Sequence, residues 1–329
     1  MNRQALFFTA PGMVEIREEP CPEPTSGELL IQSIVSAISP GTEMLVYNNQ
    51  IPDSMPLDSS ISGLDHEFRY PVKYGYANVG TVAKVGKNVS DFEEGETVFS
   101  FHPHESHFTL AVEEAIKIPE TLDTAAAALL PNMETAVNFL MDGSPIIGEN
   151  VAVIGQGIVG LLTTYLLAQH PLASLVTFEN IESRRDMSRR FGAAESLDSS
   201  TIKTRRQKYD LIYELTGDPE TINQALAICG LESRIIIGSW YGKKVAQLAL
   251  GSTFHRNRIQ IISSQVSTIR AKYQAQWDKK RRFTVAINQL SSLDINPLIS
   301  HRIPFSEAPD AYELYDSQDE NTFQILLTY

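Results

Sequence analysis

The stretch Val151-Ala-Val-Ile-Gly155-Gln-Gly157-Ile-Val-Gly160 decides the fold of this chain. An apolar run leads into its three glycines, and the helix-like sequence LLTTYLLAQH follows them. In a strand–turn–helix of this kind the first glycine allows a tight turn and the second lets a pyrophosphate approach the backbone. The third lets helix and strand pack closely. The stretch therefore predicts the first strand and first helix of a dinucleotide-binding domain.

The sequence around this turn alternates between apolar strands and helices. Five runs, NVAVIG, SLVTF, YDLIYELTG, SRIIIGS and RIQIISS, are apolar on both sides, as in a parallel sheet that is buried on both faces. With helices between them, they predict an α/β domain with a doubly wound parallel sheet. A long polar helix is expected from Ile269 to Leu290, with its charges in solvent.

The first third of the chain has a different texture. Short β-branched runs such as ELLIQSIVSAI and VGTVAKVGKNV are separated by Gly and Pro turns, which predicts an all-β region. The final strand, TFQILLTY, returns to this texture. We therefore expect a β-rich domain from residues 1–123 and 296–329, and a dinucleotide-binding domain from residues 124–295.

Composition and charge restrict the partners of the chain. Its 329 residues carry a net charge of −13, and residues 1–120, with 18 acidic and 7 basic side chains, hold eleven of those negative charges. Nucleic acids and anionic membranes are bound through Lys and Arg, so neither is an expected partner, and a neutral small-molecule substrate is favoured over an anionic one. Two cysteines, no visible signal peptide and no apolar run of about 18 residues predict a cytoplasmic protein.

The end of the second strand indicates which dinucleotide is bound. Glu179 lies 24 positions after Gly155, close to the spacing of about 20 at which an acid accepts hydrogen bonds from the adenosine ribose. A carboxylate there would repel a 2′-phosphate, so NAD is favoured. Arg184 and Arg185 on the next turn keep NADP open, because either guanidinium could receive that phosphate.

The remaining cofactor contacts are expected where strands end, because dinucleotides lie at the carboxyl ends of the strands in doubly wound folds. The predicted cofactor-binding residues are Gly155, Gln156, Gly157, Ile158, Val159, Gly160, Glu179, Arg184, Thr216, Gly217, Gly238 and Ser239.

The order of these elements resembles that of the medium-chain dehydrogenase/reductase superfamily, the alcohol dehydrogenase-like proteins, over essentially the whole chain. Beyond the glycine turn, the resemblance is carried by residues 75–86 (GYANVGTVAKVG), 91–98 (DFEEGETV) and 209–217 (YDLIYELTG). It implies a GroES-like β-rich lobe with a Rossmann domain, hydride transfer with a nicotinamide cofactor, and a homodimer.

The zinc pattern of that superfamily is missing. Zinc-dependent members carry a Cys-Gly-Thr/Ser-Asp motif and a Gly-His-Glu motif that supply ligands, and here the corresponding stretches read Pro40-Gly-Thr-Glu43 and Gly75-Tyr-Ala77. Proline has no ligand atom, and Tyr76 replaces the usual imidazole. The four-cysteine lobe for a structural zinc is also absent. We therefore expect neither zinc nor another metal.

A narrower resemblance is to the branch around bacteriochlorophyllide dehydrogenases. It is carried by residues 39–43 (SPGTE), 75–76 (GY) and 101–105 (FHPHE). Members of that branch lack the usual zinc ligands and resemble enzymes that oxidise a secondary hydroxyethyl group with NAD.

A site without zinc needs another acid–base group near the substrate oxygen. The resemblance places Tyr76 and Thr42 next to the positions of the metal and its proton relay, and a phenol and a hydroxyl can both exchange a proton. His104 is a third candidate because imidazole titrates near neutral pH, and Glu43 could orient either hydroxyl. The alternatives are that Tyr76 only lines a cleft, that Thr42 is a turn hydroxyl and that Glu43 is an exposed loop carboxylate.

A metal site at three histidines stays open. His102, His104 and His107 could form it if their segment bends, although loop histidines are favoured for His102 and His107.

The leading function is zinc-independent, NAD(P)-dependent hydride transfer to or from a secondary alcohol or ketone of an apolar metabolite. The alternatives are NADPH-dependent reduction of an activated carbon–carbon double bond, and a dinucleotide-binding partner protein without turnover.

Overall fold

The computed structural model describes residues 2–53, 55–57, 61, 64 and 67–329. In chain order the strands are β1 (Asn2–Ala10), β2 (Met13–Pro20), β3 (Glu28–Ala37), β4 (Asn78–Val85), β5 (Thr97–Ser100), β6 (His107–Ala111), β7 (Ile116–Lys117), β8 (Asn150–Ile154), β9 (Ser174–Phe178), β10 (Glu195–Leu197), β11 (Tyr209–Glu214), β12 (Cys229–Ile237), β13 (Gln260–Ser263), β14 (Ile299–Pro304) and β15 (Gln324–Thr328). The α-helices are α1 (Pro40–Tyr47), α2 (Thr124–Ala127), α3 (Leu130–Gly143), α4 (Ile158–Leu167), α5 (Glu182–Arg190), α6 (Thr221–Ile228), α7 (Lys279–Ser291) and α8 (Ala308–Asp316).

The chain forms two compact units. One unit contains residues 1–131 and 287–329, and the other contains residues 132–286. The finer domain limits expected from the sequence, at residues 123 and 296, stay predictions. No helix in the described part of the chain is both long enough and apolar enough to cross a bilayer.

The unit of residues 132–286 is built on a parallel sheet. Its strand order is β10-β9-β8-β11-β12-β13, with parallel pairing between all neighbours. The first strand of the unit therefore lies in the middle and the order reverses between β8 and β11, as in doubly wound dinucleotide-binding folds. The predicted Rossmann sheet is confirmed, and the short strand β10 is an addition that the sequence analysis missed.

The central strands of this sheet are apolar because both of their faces are buried. One face of β8 and β11 packs into a core with Val151, Val153 and Leu211, and the other face packs into a second core with Ala152, Ile154 and Ile212. All six side chains are fully buried. Burial on both sides explains why these strands have continuous apolar sequences.

The unit of residues 1–131 and 287–329 is mainly antiparallel. Its larger sheet has the order β14-β15-β3-β4-β5-β7, with β6 also paired to β3, and a separate hairpin joins β1 and β2. The C-terminal strand β15 pairs antiparallel with β3, which confirms that the end of the chain rejoins the β-rich lobe. The predicted α/β architecture, a GroES-like lobe plus a Rossmann domain, is confirmed.

The surface helix expected from Ile269 to Leu290 is wrong in its start, and one of its charged side chains, Arg282, does not lie in solvent. The helix α7 begins only at Lys279, where the side chain of Asp278 accepts a hydrogen bond from the N–H of Arg281 and so caps the first turn. Arg282 is fully buried. Its charge is compensated inside the unit by Glu134, whose Oε1 lies 2.7 Å from a guanidinium nitrogen.

Candidate active site

The glycine turn lies between the end of β8 and the start of α4. Gly155 has a φ of +92°, and a Cβ there would lie 2.7 Å from the carbonyl oxygen of Leu215. A Cβ on Gly160 would collide with the carbonyl oxygen of Gly155, so this glycine lets α4 pack against the turn. Around the Cβ position of Gly157, no described atom outside its chain neighbours lies within 4 Å. Gly155 therefore makes the tight turn and Gly160 allows the close packing, while the approach of a pyrophosphate at Gly157 stays a prediction.

The first turn of α4 is the natural place for phosphates. The helix begins at Ile158, directly after Gly157. Its first N–H groups have no acceptor within the helix, and the positive end of the helix dipole lies there. The side chain of Gln156 is not available for a ligand, because it is buried, donates to the carbonyl oxygen of Gly155 over 2.9 Å and accepts from Thr164 over 3.0 Å.

Glu179 follows β9 and is tied to the glycine turn. One carboxylate oxygen accepts the N–H of Gln156 over 2.8 Å, and the other accepts the N–H of Ile181 over 3.0 Å. A carboxylate oxygen has two lone pairs, so each can accept one more hydrogen bond from a ribose hydroxyl. Arg185 is turned into the protein, where it donates to the carbonyl oxygen of Glu179 over 2.8 Å. Arg184 is half-buried on α5.

The ends of β11 and β12 are joined by a direct hydrogen bond. The N–H of Gly217 donates to the hydroxyl of Ser239 over 2.9 Å. Gly238 serves packing, because a Cβ there would collide with the ring of Phe139. Among the predicted contacts at these strand ends, Gly217 has a Cβ position with no described atom within 4 Å beyond its chain neighbours.

A buried carboxylate that was not among the predicted site residues organises this edge of the sheet. Glu214 is fully buried at the end of β11, where it accepts the N–H of Thr216 over 2.8 Å. The hydroxyl of Tyr241 donates to its other oxygen. Burial, together with the negative charge of Glu214, raises the pKa of Tyr241, so this phenol remains a donor at neutral pH. The acid preceding Leu-Thr-Gly was visible in the sequence, but nothing there indicated its tyrosine partner.

Tyr76 and Thr42 come together in the unit of residues 1–131 and 287–329. Thr42 lies in the first turn of α1, which starts with Pro40 at a position where a missing N–H costs nothing. The hydroxyl of Tyr76 donates to the hydroxyl of Thr42 over 3.1 Å, and both side chains are half-buried. The structure thus joins two of the predicted acid–base residues, which are 34 positions apart in sequence.

Glu43 is not an exposed loop carboxylate. It is fully buried on α1, where one carboxylate oxygen accepts the N–H of Ser39 over 2.7 Å. The other accepts the hydroxyl of Tyr312 over 2.6 Å and lies 3.1 Å from Nε2 of His104. Burial, with the charge of Glu43 adding to it, raises the pKa of Tyr312 well above its usual value.

His104 is also fully buried, and both of its ring nitrogens have partners. Nε2 faces Glu43, and Nδ1 lies 2.7 Å from the hydroxyl of Ser36. A carboxylate can only accept, so we assign the ring proton to Nε2 and let Nδ1 accept from Ser36. The hydroxyl of Tyr329 lies 3.0 Å from that of Ser36 and extends this buried chain.

The other two histidines have separate environments. His102 lies before β6 and stacks on Phe108, with 3.8 Å between the ring centroids. Burial lowers its pKa to about 3, and the nearby charges of Arg3 and Lys73 act in the same direction. Burial also lowers the pKa of His107 on β6. In the described ranges of the chain, no three His, Cys, Asp or Glu side chains are grouped so that they could hold a metal ion.

Comparison with known proteins adds to this geometry. No family model matches the chain. It is 24% identical over 330 residues, 95% of this chain and 94% of the relative, to 2-desacetyl-2-hydroxyethyl bacteriochlorophyllide A dehydrogenase of Cereibacter sphaeroides. A solved short chain alcohol dehydrogenase from Escherichia coli CFT073, complexed with NADH, has a TM-score of 0.80 at 18% identity. The match covers 100% of this chain and 99% of the dehydrogenase chain. A putative zinc-binding dehydrogenase from Sinorhizobium meliloti 1021, bound to NADP, has a TM-score of 0.79 at 18% identity, with 100% of both chains covered.

These likenesses extend over nearly the full length of both the β-rich lobe and the Rossmann unit. In sequence and in fold the chain therefore resembles the medium-chain dehydrogenase/reductase superfamily, and the expected resemblance is confirmed. The comparisons support an oxidoreductase of this kind.

The superfamily implies a nicotinamide dinucleotide, and the residues present fit one. The space at Gly157 admits a close ligand, and the first turn of α4 offers N–H groups beside it. The carboxylate of Glu179 adjoins the same turn.

The residues present do not fit the catalytic zinc of the zinc-dependent members of that superfamily. Pro40, the first residue of α1, has no side-chain atom that could bind zinc, and the hydroxyl of Tyr76 is hydrogen-bonded to Thr42. Both ring nitrogens of the nearby His104 are already engaged by Ser36 and Glu43. Zinc prefers thiolate, imidazole and carboxylate ligands, and this set supplies none that is accessible.

Proposed function

We propose that this protein transfers a hydride between NAD and a secondary alcohol or ketone of an apolar metabolite, without catalytic zinc. The observation that carries the proposal is the hydrogen-bonded hydroxyl pair of Tyr76 and Thr42. The resemblance in sequence assigns Tyr76 and Thr42 to the positions of the Gly-His-Glu and Cys-Gly-Thr/Ser-Asp motifs of zinc-dependent enzymes.

The backbone of residues 155–160 would hold the pyrophosphate, and Glu179 would hold the adenosine ribose. The nicotinamide supplies the hydride chemistry when it is bound. What this chain itself must do is orient the substrate and exchange one proton with its oxygen.

Tyr76 is suited to that exchange because it is half-buried and its proton already points at a hydroxyl. In carbonyl reduction the phenol would donate its proton to the substrate oxygen. The hydroxyl of Thr42 can rotate, so it changes from acceptor to donor and stabilises the phenolate that is left. The reverse sequence would take a proton from an alcohol.

The preference for NAD over NADP follows from the charges around Glu179. Its carboxylate would repel a 2′-phosphate. Arg185 cannot offset that repulsion, since its guanidinium is bound to the carbonyl oxygens of Glu179 and Asn180 and lies 3.3 Å from Asp198. We expect NADH to bind at least about tenfold more tightly than NADPH.

The test uses purified, metal-analysed protein with NADH and a panel of 2-heptanone, cyclohexanone and acetophenone. Tyr76→Phe is expected to lower kcat by about 100-fold or more, and Thr42→Val by a smaller factor, because the general acid and its stabiliser are removed. Tyr165→Phe on α4 and Thr81→Val on β4 are the matched controls and should keep full turnover.

Other results would favour the alternatives. Zinc bound one to one and required for turnover would overturn the zinc-free site. A strong NADPH preference together with turnover of enones would favour a carbon–carbon double-bond reductase. Tight NADH binding with no turnover of ketones, alcohols or enones would favour a dinucleotide-binding partner protein.

We also propose a homodimer, formed through the edge of the Rossmann sheet. Residues 233–238 lie mainly in β12, which β11 and β13 flank in the described sheet, so we place the contact at the outer edge of the next strand, β13. Light scattering after size-exclusion chromatography would test the mass.

A further inference from the structure

We propose that Glu43 and His104 are positioning residues. From the buried interior of the unit they keep the hydroxyls of Thr42 and Tyr76 within hydrogen-bonding distance of each other. The inference rests on the proposed function, because it gives that hydroxyl pair its support. Both side chains are fully buried, so neither is open to a substrate from solvent. Each acts through the backbone of its neighbour.

The carboxylate of Glu43 fixes the start of α1. It accepts the N–H of Ser39, the residue before the helix, over 2.7 Å, and the N–H groups of Thr42 and Glu43 in turn donate to the carbonyl oxygen of Ser39 over 3.0 and 2.8 Å. Thr42 is therefore part of a closed ring of hydrogen bonds. Its side chain can rotate, but its backbone cannot shift without breaking one of them.

His104 holds the second segment. A Cβ on Gly75 would lie 2.5 Å from Cδ2 and Nε2 of this ring, so the imidazole lies directly against the backbone that leads into Tyr76. The same nitrogen, Nε2, faces Glu43 over 3.1 Å. One carboxylate–imidazole pair thus links the segment of Thr42 to the segment of Tyr76.

The pair is held in turn by the C-terminal part of the chain. Tyr312 on α8 donates to Glu43 over 2.6 Å, and Tyr329 reaches His104 through the hydroxyl of Ser36. Three donors, the N–H of Ser39, the phenol of Tyr312 and Nε2–H, converge on one buried carboxylate. A buried carboxyl group that makes all of its hydrogen bonds is held rigidly. If one of those hydrogen bonds is lost, the folded protein is destabilised.

The spectroscopic test observes Tyr76 in the full-length protein labelled with 13Cζ-tyrosine, with its signal assigned by Tyr76→Phe. Glu43→Gln and His104→Gln are expected to shift or broaden the Tyr76 resonance, because the phenol loses its fixed contact with Thr42. Glu114→Gln, at an exposed carboxylate of the same unit, is the matched control. If Glu43→Gln fails to fold, Tyr312→Phe removes one donor to the carboxylate and gives the same test.

The inference is overturned if the Tyr76 resonance is the same in wild type, Glu43→Gln and His104→Gln, or in Tyr312→Phe where Glu43→Gln does not fold. This readout needs no substrate, so it is independent of whether the ketone panel is turned over.

A kinetic measurement separates the inference from the proposed function. Glu43→Gln should lower kcat about 10- to 100-fold, as expected when a catalytic group is misplaced, while the dissociation constant of NADH, measured by fluorescence, stays within about twofold. In a Tyr76→Phe background the same change should have little further effect, since neighbours that act through one group are not additive. Equal losses in both backgrounds would overturn the positioning role. An unaltered kcat in Tyr76→Phe alone would instead overturn the proposed function.

Discussion

The ring of His104 occupies the space that Gly75 leaves by having no side chain. A Cβ on Gly75, which has a φ of +106°, would lie 2.5 Å from Cδ2 and Nε2 of the ring. The glycine is therefore required twice, once for its backbone conformation and once for the histidine beneath it. Because Tyr76 follows Gly75 directly, this contact also determines where the proposed acid–base phenol lies.

Gly75→Ala separates these two requirements when it is compared with Gly95→Ala. Gly95 has a φ of +92°, but no described atom beyond its chain neighbours lies within 4 Å of its Cβ position. Gly95→Ala should cost about 1 kcal/mol in the free energy of unfolding from backbone strain alone. Gly75→Ala should cost about 2 kcal/mol or more, because His104 must also move. Urea unfolding measures both, and equal losses would mean that the histidine contact carries no energy.

Gly157→Ala should mainly weaken the binding of NADH, whereas Gly160→Ala should mainly lower the free energy of unfolding. A Cβ at Gly157 enters unfilled space, so the free energy of unfolding should change by less than about 0.5 kcal/mol. It should weaken NADH binding about tenfold or more, because the pyrophosphate needs that space. A Cβ at Gly160 collides with the carbonyl oxygen of Gly155, and about 1–3 kcal/mol of stability should be lost.

Fluorescence titration with NADH and urea unfolding of the same two proteins give the answer. Undiminished NADH affinity in Gly157→Ala would contradict a pyrophosphate at this turn.

Arg282→Met should strongly destabilise the protein. Arg282 donates to Glu134 over 2.7 and 2.9 Å and to Asn138 over 2.7 Å, and its removal leaves a buried carboxylate without its cation. We expect a loss of about 3 kcal/mol at pH 7, while Lys280→Met, at an exposed position of the same helix, should change stability by less than about 0.5 kcal/mol.

The loss should depend on pH in a defined direction. Burial raises the pKa of Glu134, and Arg282 opposes that rise. Without the arginine the folded state binds the proton still more tightly than the unfolded state, so the variant should regain stability as the pH falls toward 5 and lose it as the pH rises. A deficit that is the same at pH 5 and pH 8 would contradict an uncompensated Glu134, and Glu134→Gln added to Arg282→Met should restore part of the stability at pH 7.

His102 should make the wild-type protein less stable in mild acid. Its pKa is lowered to about 3 in the folded state by burial and by Arg3 and Lys73, against about 6.5 in an unfolded chain. Between these values the unfolded state binds more protons, so this contribution is present above about pH 6.5 and is lost as the pH falls. About 1–2 kcal/mol should be lost by pH 5.

Urea unfolding between pH 5 and 8 measures this loss. His102→Phe should flatten the profile, because the titrating group is gone. His255→Gln, at an exposed histidine of the other unit, should leave the slope unchanged. A profile that keeps its slope in His102→Phe would assign the pH dependence to other groups.

The Rossmann unit was predictable because its signals are local. The glycine turn, the apolar runs of β8, β9 and β11, and the acid after β9 each lie within a few residues of one another, where turn chemistry and hydrophobic periodicity act. The departure of residues 40–43 and 75–77 from the zinc motifs was also visible in the sequence, since it depends on residue type alone.

The local sequence pattern did not predict which charged side chains are buried. From the sequence, Glu43 could have been an exposed loop carboxylate, and the charges of the segment around Arg282 were expected in solvent. Both side chains are fully buried. The hydrogen-bond partners that allow these side chains to be buried lie far away in sequence. Tyr312 is 269 positions from Glu43, and Arg282 is 148 positions from Glu134.

The sequence by itself determined the two kinds of unit, the strand–glycine turn–helix at residues 150–167 and the departure from the zinc motifs of the superfamily that the chain resembles. Only the tertiary structure decided that Glu43 and His104 are fully buried next to each other, while Thr42 and Tyr76 are half-buried and share a hydrogen bond. The reason is physical, because a charged or polar side chain is buried only where packing brings donors and acceptors to it from distant segments.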